Sequence, residues 1–270
     1  MGLSLMTNVS ALMTARVLNG NQTKLNQAMT RLTTGKRINS AMDDAAGLGI
    51  SVGMTSEIRN LNQAARNAMD GLSMVQTAEG ALGEISGMLI RMRELTVQSA
   101  SDSISDKERG FLNVEMVDLR DEIDRVVNTT EFNGISLLKS GTLDIATETN
   151  GGGLALVLPD LSTANLGIDT ASLDTKANSQ AAMDPLDAAL DAISLQRARL
   201  GSKGNILVRR HSMLGVQSEN LSAARSRIMD ADVAKEASSM ARQMILMQAG
   251  VSMLAQANNM PNMMSMLLPR

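Results

Sequence analysis

Leu186, Ile193, Leu200, Leu207, Leu214, Leu221 and Ile228 recur at every seventh position without interruption. The alternate positions, Leu190, Arg197, Gly204, His211, Ser218 and Arg225, are mostly polar. This pattern predicts one long helix with a continuously packed edge beside a mixed one. At about 1.5 Å per residue it would reach roughly 65 Å, longer than a compact domain needs. A second long helix is predicted over 44–100 from Ile58, Leu61, Ala65, Ala68, Leu72, Val75, Glu79 and Leu82, after which the phase slips to Leu82, Ile85, Leu89 and Met92. Ser40 with Asp43 reads as a capping-box-like start, and so does Ser105 with Glu108. The second cap opens a helix striped by Leu112, Met116, Leu119, Ile123 and Val126. Three long helices can therefore share one seam.

The chain ends repeat the habit with less charge. Leu18, Leu25, Met29 and Leu32 form one stripe, and Val233, Ala237, Met240, Met244, Met247, Val251 and Leu254 form another. Each predicts an amphipathic helix with no third partner inside the chain. The phase jump from Ile228 to Val233, beside Asp230 and Asp232, marks a joint, so the expected segments are 1–42, 43–230 and 231–270. Near the midpoint, 142–147 and 154–158 flank Asn150-Gly151-Gly152-Gly153, which predicts a β-hairpin. The Thr-, Ser-, Asp- and Asn-rich stretch 160–180 is expected to be a surface excursion. The fold class is thus mainly α: long coiled-coil-like helices from both chain ends packed together, with a small β-hairpin and loop insert at about 140–180.

Composition narrows the chemistry. The 270 residues hold two Phe, no Trp or Tyr, 22 Met, no Cys and one His, His211. Thiol nucleophiles, disulfides, Cys/His zinc sites and His-based triads are excluded together. Lys and Arg number 25 against 28 Asp and Glu, with no basic block, so nucleic acid is not an expected partner. The opening Met1–Asn8 alternates apolar and polar residues and does not read as a secretory signal. No charge falls between Arg242 and Arg270, but Gln243, Gln248, Ser252, Gln256, Asn258, Asn259, Pro261 and Asn262 interrupt that run too often for membrane insertion.

The remaining motifs read as structure. Gly47-Leu48-Gly49-Ile50-Ser51-Val52-Gly53 has the wrong spacing for a dinucleotide loop and follows no strand, so it reads as a close-packed helix start. Asp43 and Asp44 suit capping and compensation of the helix dipole. His211, on the mixed edge, reads as a structural histidine with a satisfied ring. Met240, Met244 and Met247 suit an adaptable partner surface. No catalytic residue, metal ligand or cofactor is expected, and the chain does not read as an enzyme.

The residues also carry a resemblance. Arg31-Leu32-Thr33-Thr34-Gly35-Lys36-Arg37-Ile38-Asn39-Ser40-Ala41-Met42-Asp43-Asp44-Ala45-Ala46-Gly47-Leu48 resembles the N-terminal signature of bacterial flagellins. So do Arg66–Gly71, Gln76–Leu82, Arg93–Gln98 and Phe132-Asn133-Gly134, and toward the other end Glu219–Ile228 and Leu254–Asn258. The likeness covers about 1–140 and 180–270. Only about forty residues separate the matching halves, implying a minimal subunit without large outer domains. Gly204-Asn205-Ile206 departs from the family's usual Gln-Asn-Arg, and the lone His excludes forms with an inserted zinc protease.

The resemblance implies a subunit that self-assembles into the extracellular flagellar filament for swimming motility. It would be exported unfolded without a cleaved signal peptide and fold at the filament tip, its terminal helices lining an inner tube and the longer ones a shell. The self-assembly residues are then Leu18, Leu25, Met29, Leu32, Val233, Ala237, Met240, Met244, Met247, Val251 and Leu254. Implied partners are further copies of the chain, the flagellar export apparatus with its export chaperone, the filament cap and the hook-junction proteins. A host Toll-like receptor for flagellin is implied at Arg91, Leu95 and Glu115. The alternative is a hook–filament junction protein, whose members usually carry Pro after the Asp pair, where this chain has Ala45.

Overall fold

The computed structural model describes residues 7–267, with side chains as far as Met260. Residues 1–6 and 268–270, and the side chains from 261 onward, among them the Pro261 and Asn262 named above, lie outside the described residues. Six helices are described: α1 (Val9–Thr34), α2 (Ala45–Ser99), α3 (Asp106–Thr129), α4 (Lys176–Ala181), α5 (Met183–Met229) and α6 (Val233–Leu267). Four strands form two antiparallel hairpins, β1 (Glu131–Phe132) with β2 (Ile135–Ser136), and β3 (Gly141–Ala146) with β4 (Gly153–Leu158). The fold is mainly helical with a small β insert, in agreement with the periodicity.

The chain forms two compact units, Met1–Ser56 with Asn220–Arg270, and Glu57–Glu219. In the second unit α2, α3 and α5 bury one apolar cluster, in which Leu82, Ile85, Leu89 and Met92 meet Met116, Ile123, Leu186 and Ile193. The heptad edge of α5 is buried through Leu214, while Leu221 and Ile228 are only half-buried. α3 opens with the expected capping box: the Ser105 hydroxyl accepts from Glu108 N, and the Glu108 carboxylate accepts from Ser105 N at 2.8 Å. β3 and β4 pair from Gly141–Leu158 to Ala146–Gly153 and turn through the expected glycines.

Two expectations need correction. The cap of α2 is Asp44, whose carboxylate accepts from Gly47 N at 2.8 Å, and not Ser40. Asp43 instead fastens the preceding turn by accepting from Asn39 N and Ser40 N at 3.1 and 3.0 Å. Secondly, 160–180 is no surface excursion, because Leu161, Ile168 and Leu173 are buried in the core and 176–181 forms α4. Polar groups of α3 hold this segment down: Asp124 accepts from Thr163 N at 2.9 Å and from its hydroxyl at 2.7 Å, and Asn113 Oδ1 accepts from Leu173 N at 2.8 Å. The His211 ring is partnered as expected, by the Ala65 carbonyl at 3.2 Å from Nδ1, on an exposed residue.

Candidate assembly surface

α1 and α6 run antiparallel. The Asn8 amide donates to the Ala257 carbonyl at 2.7 Å near one end, and Arg31 meets Glu236 at 3.1 Å near the other. Asn8 also caps α1 by accepting from Ala11 N, and Gly35, at φ 68, ends it in the left-handed region where a missing Cβ removes strain. The joint is tied by the backbone: Arg37 N donates to the Met229 carbonyl at 2.6 Å and Ala231 N to the Gly35 carbonyl at 2.9 Å. The Arg37 guanidinium adds a hydrogen bond to the Ile228 carbonyl at 2.7 Å.

The two helices bury a narrow seam of Leu25, Ala28, Gln243 and Ala257. Of the expected stripe, Leu18, Leu32, Ala237, Met240, Met247 and Leu254 are half-buried. Met29, Val233, Met244 and Val251 remain exposed. The stripe thus divides between a seam inside the chain and a face open to solvent.

Periodicity missed much of the open face. Val9, Leu12, Met13 and Val17 on α1, and Ile245, Leu246, Met253 and Met260 on α6, are large apolar side chains in solvent. Ile245 is 68% exposed and Met253 64%. They lie off the heptad stripes of α1 and α6, so a one-face periodicity does not include them. The available signal was charge: α1 has no acidic residue, and the charges of α6 are confined to Lys235, Glu236 and Arg242. A helix pair apolar on several sides and nearly free of charge has unburied surface that favours a partner.

Arg91 and Glu115 come together, with Arg91 Nε donating to the Glu115 carboxylate at 2.7 Å while Glu94 accepts from the same guanidinium at 3.1 Å. Its hydrogen bonds to both carboxylates, Glu115 foremost, raise the Arg91 pKa above its ordinary value. Leu95 is corrected as a contact residue, because it is 0% exposed and belongs to the core. The open apolar side chains near it in sequence are Ile90 and Val97.

Among the described residues no group of three His, Cys, Asp or Glu could hold a metal ion. No described helix is long and apolar enough to cross a membrane.

Comparison with known proteins places this geometry in a lineage. The bacterial flagellin N-terminal helical region matches residues 5–142, and the bacterial flagellin C-terminal helical region matches 183–268. The chain is 42% identical over 266 residues to a flagellin of Halalkalibacterium halodurans, covering 97% of this chain and 98% of that protein. It is 38% identical over 299 residues to a flagellin of Bacillus subtilis, with the same coverage of 97% and 98%. The crystal structure of Bacillus cereus flagellin aligns with a TM-score of 0.52 at 30% identity, over 59% of this chain and 94% of that one. A putative flagellar hook-associated protein from Vibrio parahaemolyticus aligns at 0.60 with 15% identity, over 70% and 100% of the two chains, a likeness of fold alone.

Proposed function

Since the chain belongs to the bacterial flagellin family and is a structural subunit of the flagellar filament, we propose that the α1/α6 pair is the element through which it polymerises. One observation carries this reading: the pair displays Leu12, Met13, Val17, Ile245 and Met253 in solvent with only six charged side chains along both helices, Arg16, Lys24, Arg31, Lys235, Glu236 and Arg242. Burying each such side chain fully against another copy contributes about 1.5–3 kcal/mol to association. Met244 and Val251 join this face, while Leu25 and the half-buried residues hold the pair together so that the face exists.

The assembly route follows from the same marginality. An isolated helix of this kind is weakly stable in water, so a chain passed unfolded through the flagellar export apparatus, held by an export chaperone, gains its terminal order only at the filament tip. The cap and hook-junction proteins are the neighbours such a route requires, and the product is extracellular. Catalysis has no part in this reading. In free subunits, the exposed Arg91–Glu115 pair is the feature a host Toll-like receptor would read.

Seeded polymerisation tests the proposal. Purified subunit mixed with short filament seeds and imaged by negative-stain electron microscopy should extend them into long uniform filaments. Ile245→Asp combined with Met253→Asp should keep the helical circular dichroism of the unaltered chain and fail to extend seeds. Extension by that variant at the normal rate would remove the terminal face from the mechanism.

A further inference from the structure

Sulfur is distributed unevenly over this chain. There is no Cys, so the 22 Met thioethers are its only sulfur. Met74, Met92 and Met116 are buried in the core of the second unit, and Met88 packs against it. Eight Met are exposed among the described residues, and five of these, Met13, Met29, Met244, Met253 and Met260, stand on α1 and α6. The other three are dispersed: Met42 in the turn before α2, 96% exposed, Met69 on α2 and Met213 on α5. The antiparallel pairing concentrates the five further. Asn8 meets Ala257 and Arg31 meets Glu236, which sets Met13 level with Met253 to within about a turn.

A thioether on that face has chemistry that the neighbouring Leu12, Val17 and Ile245 lack. Its sulfur lone pair attacks one oxygen of a peroxide and the O–O bond breaks; the transferred oxygen stays on sulfur and the other leaves as water with both hydrogens. Sulfur is oxidised by two electrons and the peroxide is reduced by the same two. The sulfoxide so formed turns a flexible apolar side chain into a polar one with a strong hydrogen-bond acceptor. Core sulfurs are shielded from this, since Met92 is 0% exposed and Met116 1%. On the open face the subunit itself keeps its packing, whereas a second copy docking there would bury an acceptor without a donor.

We propose that Met13, Met29, Met244, Met253 and Met260 are sites of reversible oxidation in the free subunit, through which hydrogen peroxide withholds it from polymerisation until the sulfoxides are reduced. The proposal rests on the filament reading and adds to it a redox condition on the subunit that enters. Five oxidisable side chains on one helix pair make the response graded, because each sulfoxide removes one apolar contact and adds one unpaired acceptor.

Peroxide treatment of the full chain before seeding is the test. With peptide mass spectrometry showing an added oxygen at the five Met, the treated subunit should keep its circular dichroism and elongate seeds about tenfold more slowly than the untreated one. Incubation with the two stereospecific methionine sulfoxide reductases and a thiol reductant should restore the rate. A chain carrying Met13→Leu, Met29→Leu, Met244→Leu, Met253→Leu and Met260→Leu, which keeps the volume and takes no oxygen, should elongate after peroxide as fast as before it. A chain carrying Met42→Leu, Met69→Leu and Met213→Leu should stay as sensitive as the unaltered one. Normal elongation by subunit oxidised at the five, no recovery on reduction, equal loss in the fivefold chain, or resistance in the threefold chain each overturns the proposal and leaves the filament reading intact. Failure of the untreated, unaltered chain to extend any seed overturns the filament reading and this proposal with it.

Discussion

The Arg109 guanidinium donates from Nε to the Ser99 carbonyl at 2.7 Å, where α2 ends, and from Nη2 to the Ser101 carbonyl at the same distance. Nη1 reaches Asp106 at 2.8 Å, so one buried side chain satisfies the last carbonyl of α2 and one in the turn that follows, and anchors the first turn of α3. Arg109→Ala should therefore cost about 3 kcal/mol, because orphaned carbonyls are left beside a cavity. Arg109→Lys should recover only part of this, since an ammonium cannot reproduce the fork. Urea unfolding followed by circular dichroism measures both.

Gly71 and Gly204 should respond in opposite directions to alanine. A Cβ at Gly71 would lie 2.6 Å from Cδ1 of Ile145, the β3 residue that packs on α2, so the hairpin would have to move. Gly71→Ala should destabilise by about 1–3 kcal/mol. At Gly204 a Cβ would meet Val75 and Leu72 side chains at 3.5 and 3.6 Å, which is ordinary contact. Gly204→Ala should stabilise by about 0.5–1 kcal/mol through helix propensity alone. Thermal melts of the two variants should move to opposite sides of the unaltered chain.

How much of this was legible depended on how each residue signals. The α5 edge from Leu186 to Leu214 is large, apolar and regular, and it is buried as expected. The α1/α6 seam was legible only in part, because Ala28, Gln243 and Ala257 are small or polar and give no amphipathic signal. Leu161, Ile168 and Leu173 were hidden by their polar surroundings, since the segment is held by Asp124 and Asn113 at residues far away in sequence. The β1/β2 hairpin also escaped, although Asn133 at φ 51 and Gly134 at φ 78 carry the Asn-Gly turn chemistry. That Leu95 points inward follows from the phase of α2 after its slip, which two residues of offset would have reversed.

Asp43 links the 39–43 turn to pH. Backbone hydrogen bonds from Asn39 and Ser40 lower its pKa below the ordinary 3.8. A carboxylate depressed in the folded state contributes stability that is present above the unfolded value and is lost as pH falls through the folded one. Neutral solution therefore holds the turn fully, and loosening begins only below 3.8. Hydrogen exchange at the Asn39 and Ser40 amides, corrected for intrinsic rates, should lose protection only in that acid range. Asp43→Asn should show reduced protection already at neutral pH and no acid step.

Gln243 sits in the α1/α6 seam, buried, with its Oε1 lacking a hydrogen-bond partner among the described residues. A buried acceptor without a donor forfeits its hydration and recovers nothing, a cost of about 1–3 kcal/mol. Met has a similar length and no such demand, so Gln243→Met should strengthen the pair within a single subunit. The expected result is slower amide exchange along 18–28 and 240–250 in the free subunit. Faster exchange there would mean that the amide fixes the register of the two helices, and that an apolar seam slides where a polar one does not.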